Sequence, residues 1–160
     1  MTTTDRTPLV RDSALTRTAR DLVLLVARIG LGVLMIGHAK VEYDFGGSLA
    51  GVGKLFAQAG VPLPAITGPA NVLFEVVGGI AMILGLAVPI VGVLMALNMA
   101  GAWVFVHTSG LLAMDHNGSE LVITLGLLSL VLAVIGSGRF GLDHLIAART
   151  RRRAGAAAGR

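Results

Sequence analysis

The chain has no cysteine among its 160 residues, which removes disulfides, thiolate-bound zinc, iron–sulfur clusters and thiol redox chemistry from what it can do alone. Aromatic residues are also few, at 4%, and charged residues make up only 14% against 54% hydrophobic, with a mean hydropathy of +0.81. A net charge of +4 would suit nucleic acid. The arginines, however, gather in the two ends of the chain and no basic face carries interleaved stacking rings, so nucleic acid is excluded as a partner. The expected partner is a lipid bilayer, and the size allows one compact domain.

Charge is rarest in the middle of the chain. Between Lys54 and Asp115 the only fully charged side chain is Glu75. Such a run is too long for one crossing, because roughly 20 residues already span the ~30 Å hydrocarbon layer. Proline disfavours helix at the residue before it and fits the first turn of the next helix. The break therefore falls at Gly85-Leu86-Ala87-Val88-Pro89. Four helices are predicted, over residues 22–39, 66–87, 89–109 and 118–135, with Gly136-Ser137-Gly138 ending the last. Backbone groups in lipid must be satisfied internally, which favours helices throughout. The predicted fold is an all-α, four-helix transmembrane bundle. Residues 1–19 form a flexible tail, 20–146 the membrane domain and 147–160 a basic tail.

A basic stretch leading into the apolar run at Leu22 also resembles a signal peptide, but Arg28 inside the run and the lack of a small-x-small cleavage site argue against one. Arg6, Arg11, Arg17 and Arg20 precede the first helix; Arg139, Arg149, Arg151, Arg152 and Arg153 follow the last. The positive-inside rule then puts both termini in the cytoplasm, as four crossings require, in a multi-pass protein of the cell (inner) membrane. Between the first two helices Leu49, Val52, Leu55 and Phe56 recur at helical spacing and predict a short outer interfacial helix. It reads either as a lid or as a loop tucked onto headgroups.

Small residues are expected to bring the helices together, since lipid supplies no hydrophobic drive between them. In the third helix Gly92, Ala96, Ala100, Trp103 and His107 fall on one face, which is expected to point inward. The fourth has Gly126, Ser129, Ala133 and Gly136 at the same steps, and the second has Glu75–Gly79 and Ala81–Gly85 one turn apart. Asn98, opposite His107, is left to meet another helix or a second subunit, so a homo-oligomer stays open.

Ionisable groups within a membrane are expensive and point to function. Arg28 and Glu75 are candidates for a pair across the core, structural or functional. His38, Lys40, His107 and Glu120 are expected to meet at the outer face by antiparallel topology, with Glu75 below them. Glu75, His107 and Glu120 are the predicted catalytic, proton-handling set. Arg28, His38, Lys40 and Trp103 are the predicted ligand-binding set, with Arg28 or Lys40 offsetting negative charge. No metal site is predicted, because no Glu-x-x-His or His-x3-His pair falls on a helix. A haem on His38 and His107 is disfavoured by their interfacial position. Asp115-His116-Asn117-Gly118 reads as the turn into the last helix, with Asn117 or Ser119 as its cap.

Over residues 22–146 the sequence resembles the DoxX family of small four-helix membrane proteins. The matching pieces are Arg28-x3-Gly32 and Gly37-His38, Phe56-Ala57-Gln58-Ala59-Gly60-Val61-Pro62, and Phe74-Glu75-x2-Gly78-Gly79 running to Leu84-Gly85. His107, Gly118-x-Glu120 and Gly136-x-Gly138-Arg139-Phe140-x2-Asp143 complete them. Lys40 stands closer to His38 than the family pattern has it, and the basic residue often found after the second helix is absent. The resemblance implies redox chemistry. Members are similar to membrane subunits of thiosulfate:quinone oxidoreductase, and others are linked to complexes with superoxide dismutase and a sulfurtransferase in oxidative-stress defence. With this resemblance, a quinone or a similar small redox molecule is the expected ligand, and Arg28, His38, Glu75, His107 and Glu120 match the family's polar motifs. Two further readings stay open: a non-catalytic scaffold that recruits soluble redox enzymes through its arginine-rich tails, and a small-solute transporter, for which four helices are few unless the chain oligomerises.

Overall fold

The computed structural model describes residues 14–108, 110 and 118–158. These form six helices and no strand: α1 (Ala14–Gly46), α2 (Leu49–Gln58), α3 (Pro64–Leu84), α4 (Val88–Phe105), α5 (Glu120–Ile135) and α6 (Leu142–Ala158). The chain is an all-helical membrane bundle. α1, α3 and α4 are long and apolar enough to cross a bilayer. α5, a predominantly apolar helix of 16 residues, runs beside α4.

α1 is much longer than expected, at 33 residues or about 50 Å. Its first turns lie in what the sequence reading treats as flexible tail. Ala14, Leu15, Arg17, Ala19 and Arg20 are good helix formers, and with no glycine or proline among them the membrane-anchored helix extends there without an apolar face. At the other end it continues through Val41-Glu42-Tyr43-Asp44-Phe45, because the rise in polarity marks the exit from lipid and not the end of the helix. Gly47, at φ +66°, turns the chain into α2, whose first turn is capped by Ser48 Oγ accepting the Gly51 N–H at 3.0 Å.

The α3–α4 break falls where proline and glycine predict it. Gly85 and Ala87 are both left-handed, and Pro89 lies in the first turn of α4. The start of α4 is capped from far away: the Asp143 carboxylate accepts the N–H groups of Ala87 (2.7 Å) and Val88 (3.0 Å). An anion there satisfies orphan donors and complements the helix dipole. Asp143 sits in the first turn of α6, a helix that carries the basic segment assigned to the C-terminal tail.

α1 packs chiefly on α3, and α4 on α5, with α2 laid across α3 and α1. Glycine makes the first of these contacts close. A Cβ on Gly79 would lie 2.7 Å from the Gly32 carbonyl oxygen, so the two backbones touch. Gly92 of α4 meets α5 in the same way, at Ser129 and Ala133. The core joins Leu24, Leu31, Met35, Met82, Met95, Met99, Val122, Leu125 and Leu132, where flexible thioethers fill irregular gaps. The outside is equally apolar: Val26, Val33, Leu73, Leu97, Val104 and Val134 are exposed, the last at 88%. An apolar girdle on every long helix is stable in lipid and not in water.

The buried face of α4 is Val88, Gly92, Met95 and Met99, so the expected inward stripe holds at Gly92, whereas Ala100 and Trp103 further along it are exposed. Trp103, one turn beyond Met99 and in phase with that face, is half exposed near the end of the helix. His107 lies beyond the end of α4, so helical phase does not set its direction.

Candidate functional site

A cavity of about 710 Å³ opens between α1, α3 and α4, with Phe56 of α2 and Val61 at one side. It brings together side chains far apart in sequence: His38 and Glu42 from α1, Asn71, Phe74 and Glu75 from α3, Asn98 and Met99 from α4, and His107 after α4. Its volume is in the range of ordinary small-ligand sites, and like them it is mostly apolar with a few convergent polar groups.

The polar groups are organised as acid–amide pairs. Asn98 Nδ2 donates to Glu75 Oε1 at 3.2 Å, and Asn71 Nδ2 donates to Glu42 Oε2 at 2.9 Å. Asn71 also lies close enough to Glu75 to act on it, and the two carboxylates feel each other. Glu75 is 1% exposed, and its second oxygen, Oε2, has no hydrogen-bond partner; His107 Nδ1 is likewise buried and unpartnered. Buried polar atoms are nearly always satisfied, so two orphans in one cavity are the atoms to which a ligand would bind. Burial pushes the His107 imidazole below its ordinary value; neighbouring His38 adds to this, and the Gly118 backbone and Glu120 oppose it.

The predicted residues divide. Glu75, His38 and His107 meet at the cavity. Glu120 does not line it: it is exposed at the start of α5, its carboxylate folded over Gly118, close enough to His107 to influence it. Lys40 is exposed and paired with Asp44 one turn on. Trp103 is half exposed and does not line the cavity. Arg28 is fully buried, but against Gly85 and Gly141 at the opposite end of the bundle. Glu75 lies ten residues before Gly85 on α3, about 15 Å along the helix, so the proposed Arg28–Glu75 pair does not form. No lysine or arginine lines the cavity among the described residues. Charge balance by Arg28 or Lys40 is therefore not available there.

Sequence reasoning missed Glu42, because it lay past the predicted end of the first helix, and Asn71, whose spacing of four from Glu75 was the available signal. Asn98 does meet another helix, as the partner of Glu75. Of the predicted α5 turn, Asp115, His116 and Asn117 lie outside the described residues. Ser119 occupies the N-cap position without capping through its side chain; its Oγ donates to the Gly110 carbonyl at 3.0 Å.

Comparison with known proteins bears on the same residues. Residues 23–108, more than half of the chain and the segment that carries His38, Glu75 and His107, match the DoxX family. The chain is 30% identical over 126 residues to a protein of Bacillus subtilis (strain 168) named "Putative oxidoreductase CatD", covering 79% of this chain and 88% of that one. It is also 30% identical over 129 residues to an uncharacterized protein of Haemophilus influenzae (strain ATCC 51907 / DSM 11121 / KW20 / Rd), covering 78% and 91%. No solved structure matches. On this span of matched sequence, and on the helical bundle it folds into, the chain belongs to the DoxX family.

Proposed function

We propose that this protein is the membrane component of an oxidoreductase system of the cell (inner) membrane, both termini cytoplasmic, and that its cavity binds a quinone. The observation that carries the reading is the pair of orphaned buried atoms, Glu75 Oε2 and His107 Nδ1, in an otherwise apolar chamber. A quinone is flat and apolar with a carbonyl oxygen at each end. Its two-electron reduction takes up two protons, and that is the chemistry it would supply here, the electrons coming from a soluble redox partner. The resemblance suggests a superoxide dismutase or a sulfurtransferase, in oxidative-stress defence.

The protein's own groups would orient and protonate. His107 donates a hydrogen bond from whichever ring nitrogen carries the proton, and Glu75 does so when protonated. Asn98 holds the Glu75 carboxyl in place through its other oxygen. Glu42 and Asn71 offer the next step for a proton moving from Glu75 toward the polar end of α1. Phe74 and Phe56 supply the apolar wall. Among the described residues the walls carry two carboxylates and no lysine or arginine, which favours this neutral ligand over an oxyanion such as thiosulfate, because an anion there would be repelled.

The test is retention of a short-chain naphthoquinone by the protein in nanodiscs, with thiosulfate as competitor. Glu75→Ala and His107→Ala should each weaken binding about tenfold, as expected for a lost hydrogen bond in a desolvated site. Lys40→Ala should leave it unchanged, and thiosulfate should not compete. Unaltered binding in both cavity variants, at normal protein levels, rejects the reading. A second reading, a scaffold for soluble redox enzymes, is supported by α6, which carries Arg149, Arg151 and Arg152 in a helix without extensive packing on the bundle. Removal of residues 149–160 with loss of a co-purifying partner but intact quinone retention would favour it.

A further inference from the structure

A second cavity, of about 470 Å³, lies at the end of the bundle where α1 begins and α6 departs. It is lined by Arg17, Arg20 and Arg139, by Asp21 and Asp143, and by His144, with Ile135 as an apolar edge. Both acids are already engaged. Asp21 accepts the backbone N–H of Arg139 at 3.2 Å and lies 3.8 Å from its guanidinium; Asp143 caps α4. Arg17 and Arg20 have no carboxylate partner among the described residues.

Beneath this cavity lies Arg28. It continues the buried face of α1 that runs through Asp21 and Leu24, seven residues beyond Asp21, or about 10 Å deeper. Its guanidinium is wholly buried against Gly85 and Gly141, and none of its three nitrogens has a hydrogen-bond partner. Gly141 also touches Ser137, which lines the cavity. Asp143, on the cavity wall, acts on this buried charge without hydrogen-bonding to it, so Arg28 offsets part of the negative charge that Asp143 brings to the cavity floor.

The position relative to lipid is equally telling. Arg17 and Arg20 immediately precede the apolar run that starts at Leu22. Phe140 and Leu145, neighbours in sequence of the lining residues Arg139 and His144, are half exposed. A headgroup in the cavity would leave acyl chains against apolar side chains.

We propose that this cavity binds a phosphate group between Arg17, Arg20 and Arg139, presented by an anionic phospholipid of the adjacent leaflet. Guanidinium groups bind phosphate oxygens bidentately, and basic pockets between membrane helices suit anionic headgroups. The site is distinct from the quinone cavity at the far end of the bundle and stands without it.

The experiment uses the full chain in nanodiscs of phosphatidylcholine alone or in equal mixture with phosphatidylglycerol, with bound lipid counted by native mass spectrometry after detergent extraction. Wild type should retain phosphatidylglycerol over phosphatidylcholine. The combined Arg17→Gln, Arg20→Gln and Arg139→Gln protein should lose that preference by about tenfold or more. Arg149→Gln with Arg151→Gln and Arg152→Gln, the same loss of charge on α6, should keep it. Should the first combination fail to fold, Arg17→Gln or Arg20→Gln alone should each lower retention several-fold. Inorganic phosphate added to the phosphatidylcholine discs should not raise the unfolding midpoint as phosphatidylglycerol does; an equal rise would overturn the lipid source in favour of a soluble phosphate compound. Equal retention of the two lipids, or equal loss in the α6 variant, would overturn the site itself.

Discussion

At His107 the structure turns one imidazole into a measurable feature of stability. Burial and the adjacent His38 hold its folded value below the ordinary 6.5. The unfolded chain therefore takes up a proton that the folded chain resists. The contribution of a neutral His107 is fully present above 6.5 and is lost as pH falls through its lowered folded value. The unfolding midpoint in detergent should drop as pH falls below 6.5, and His107→Gln should flatten that slope. An identical slope in the variant would mean that the titrating group lies elsewhere. At Glu75 the expected effect is one of pairing. Asn98→Leu removes the amide that donates to Glu75 Oε1, and should cost about 1–3 kcal/mol in unfolding free energy. Glu75→Gln with Asn98 intact keeps an acceptor for the amide and should cost less, as urea unfolding of the two proteins will tell.

Among the elements, helix contacts were legible where small residues recur and less so where the phase of a helix had to be judged. Gly79 reads as a packing position and does pack, its backbone against that of Gly32. Gly79→Ala puts a methyl 2.7 Å from a carbonyl oxygen and should lower stability by about 1–3 kcal/mol. Gly30→Ala, with nothing within 4 Å of the added Cβ, should be neutral or gain up to about 1 kcal/mol from helix propensity. Parallel thermal unfolding of the two variants gives the comparison, and equal losses would mean that α1 and α3 are not in close contact. The inward face of α4 could not be read from its sequence, because the helix is apolar all round and lipid rewards apolar residues as a core does. The small-residue pattern was then the only guide; it found Gly92, but not that Ala100 and Trp103 further along the stripe are exposed. Likewise, the length of α1 was hidden by its charges. Polarity locates the membrane boundary and says nothing of where a helix stops, so Glu42 and Arg17 were both left outside the element that positions them.

For the whole molecule, the four-helix plan and the short outer helix followed from hydropathy and proline placement, whereas the separation of the ionisable groups into two sites did not. Arg28 and Glu75 stand at comparable depths when each is counted from the end of its own helix, but the ends counted from are opposite, and only the packed bundle reveals that Arg28 belongs with Asp143 and Glu75 with Asn98. The same contacts bear on topology. α5 spans about 24 Å, less than a hydrocarbon layer. Yet Arg139 just beyond it bonds to Asp21 at the start of α1, and Asp143 caps the start of α4. The chain after α5 has thus returned to the end from which α1 set out, and α2 lies at the other end. Because the natural chain is free of cysteine, Lys54→Cys on α2 and Thr150→Cys on α6 each give a single reactive thiol. In right-side-out vesicles an impermeant maleimide should modify Lys54→Cys at once and Thr150→Cys only after permeabilisation, as the excess of arginine at the α1 and α6 end requires. Reversed labelling would invert the orientation and leave the fold intact. Labelling of both from one side would mean that α5 does not cross, and that the bonds from Arg139 and Asp143 are not formed in the membrane.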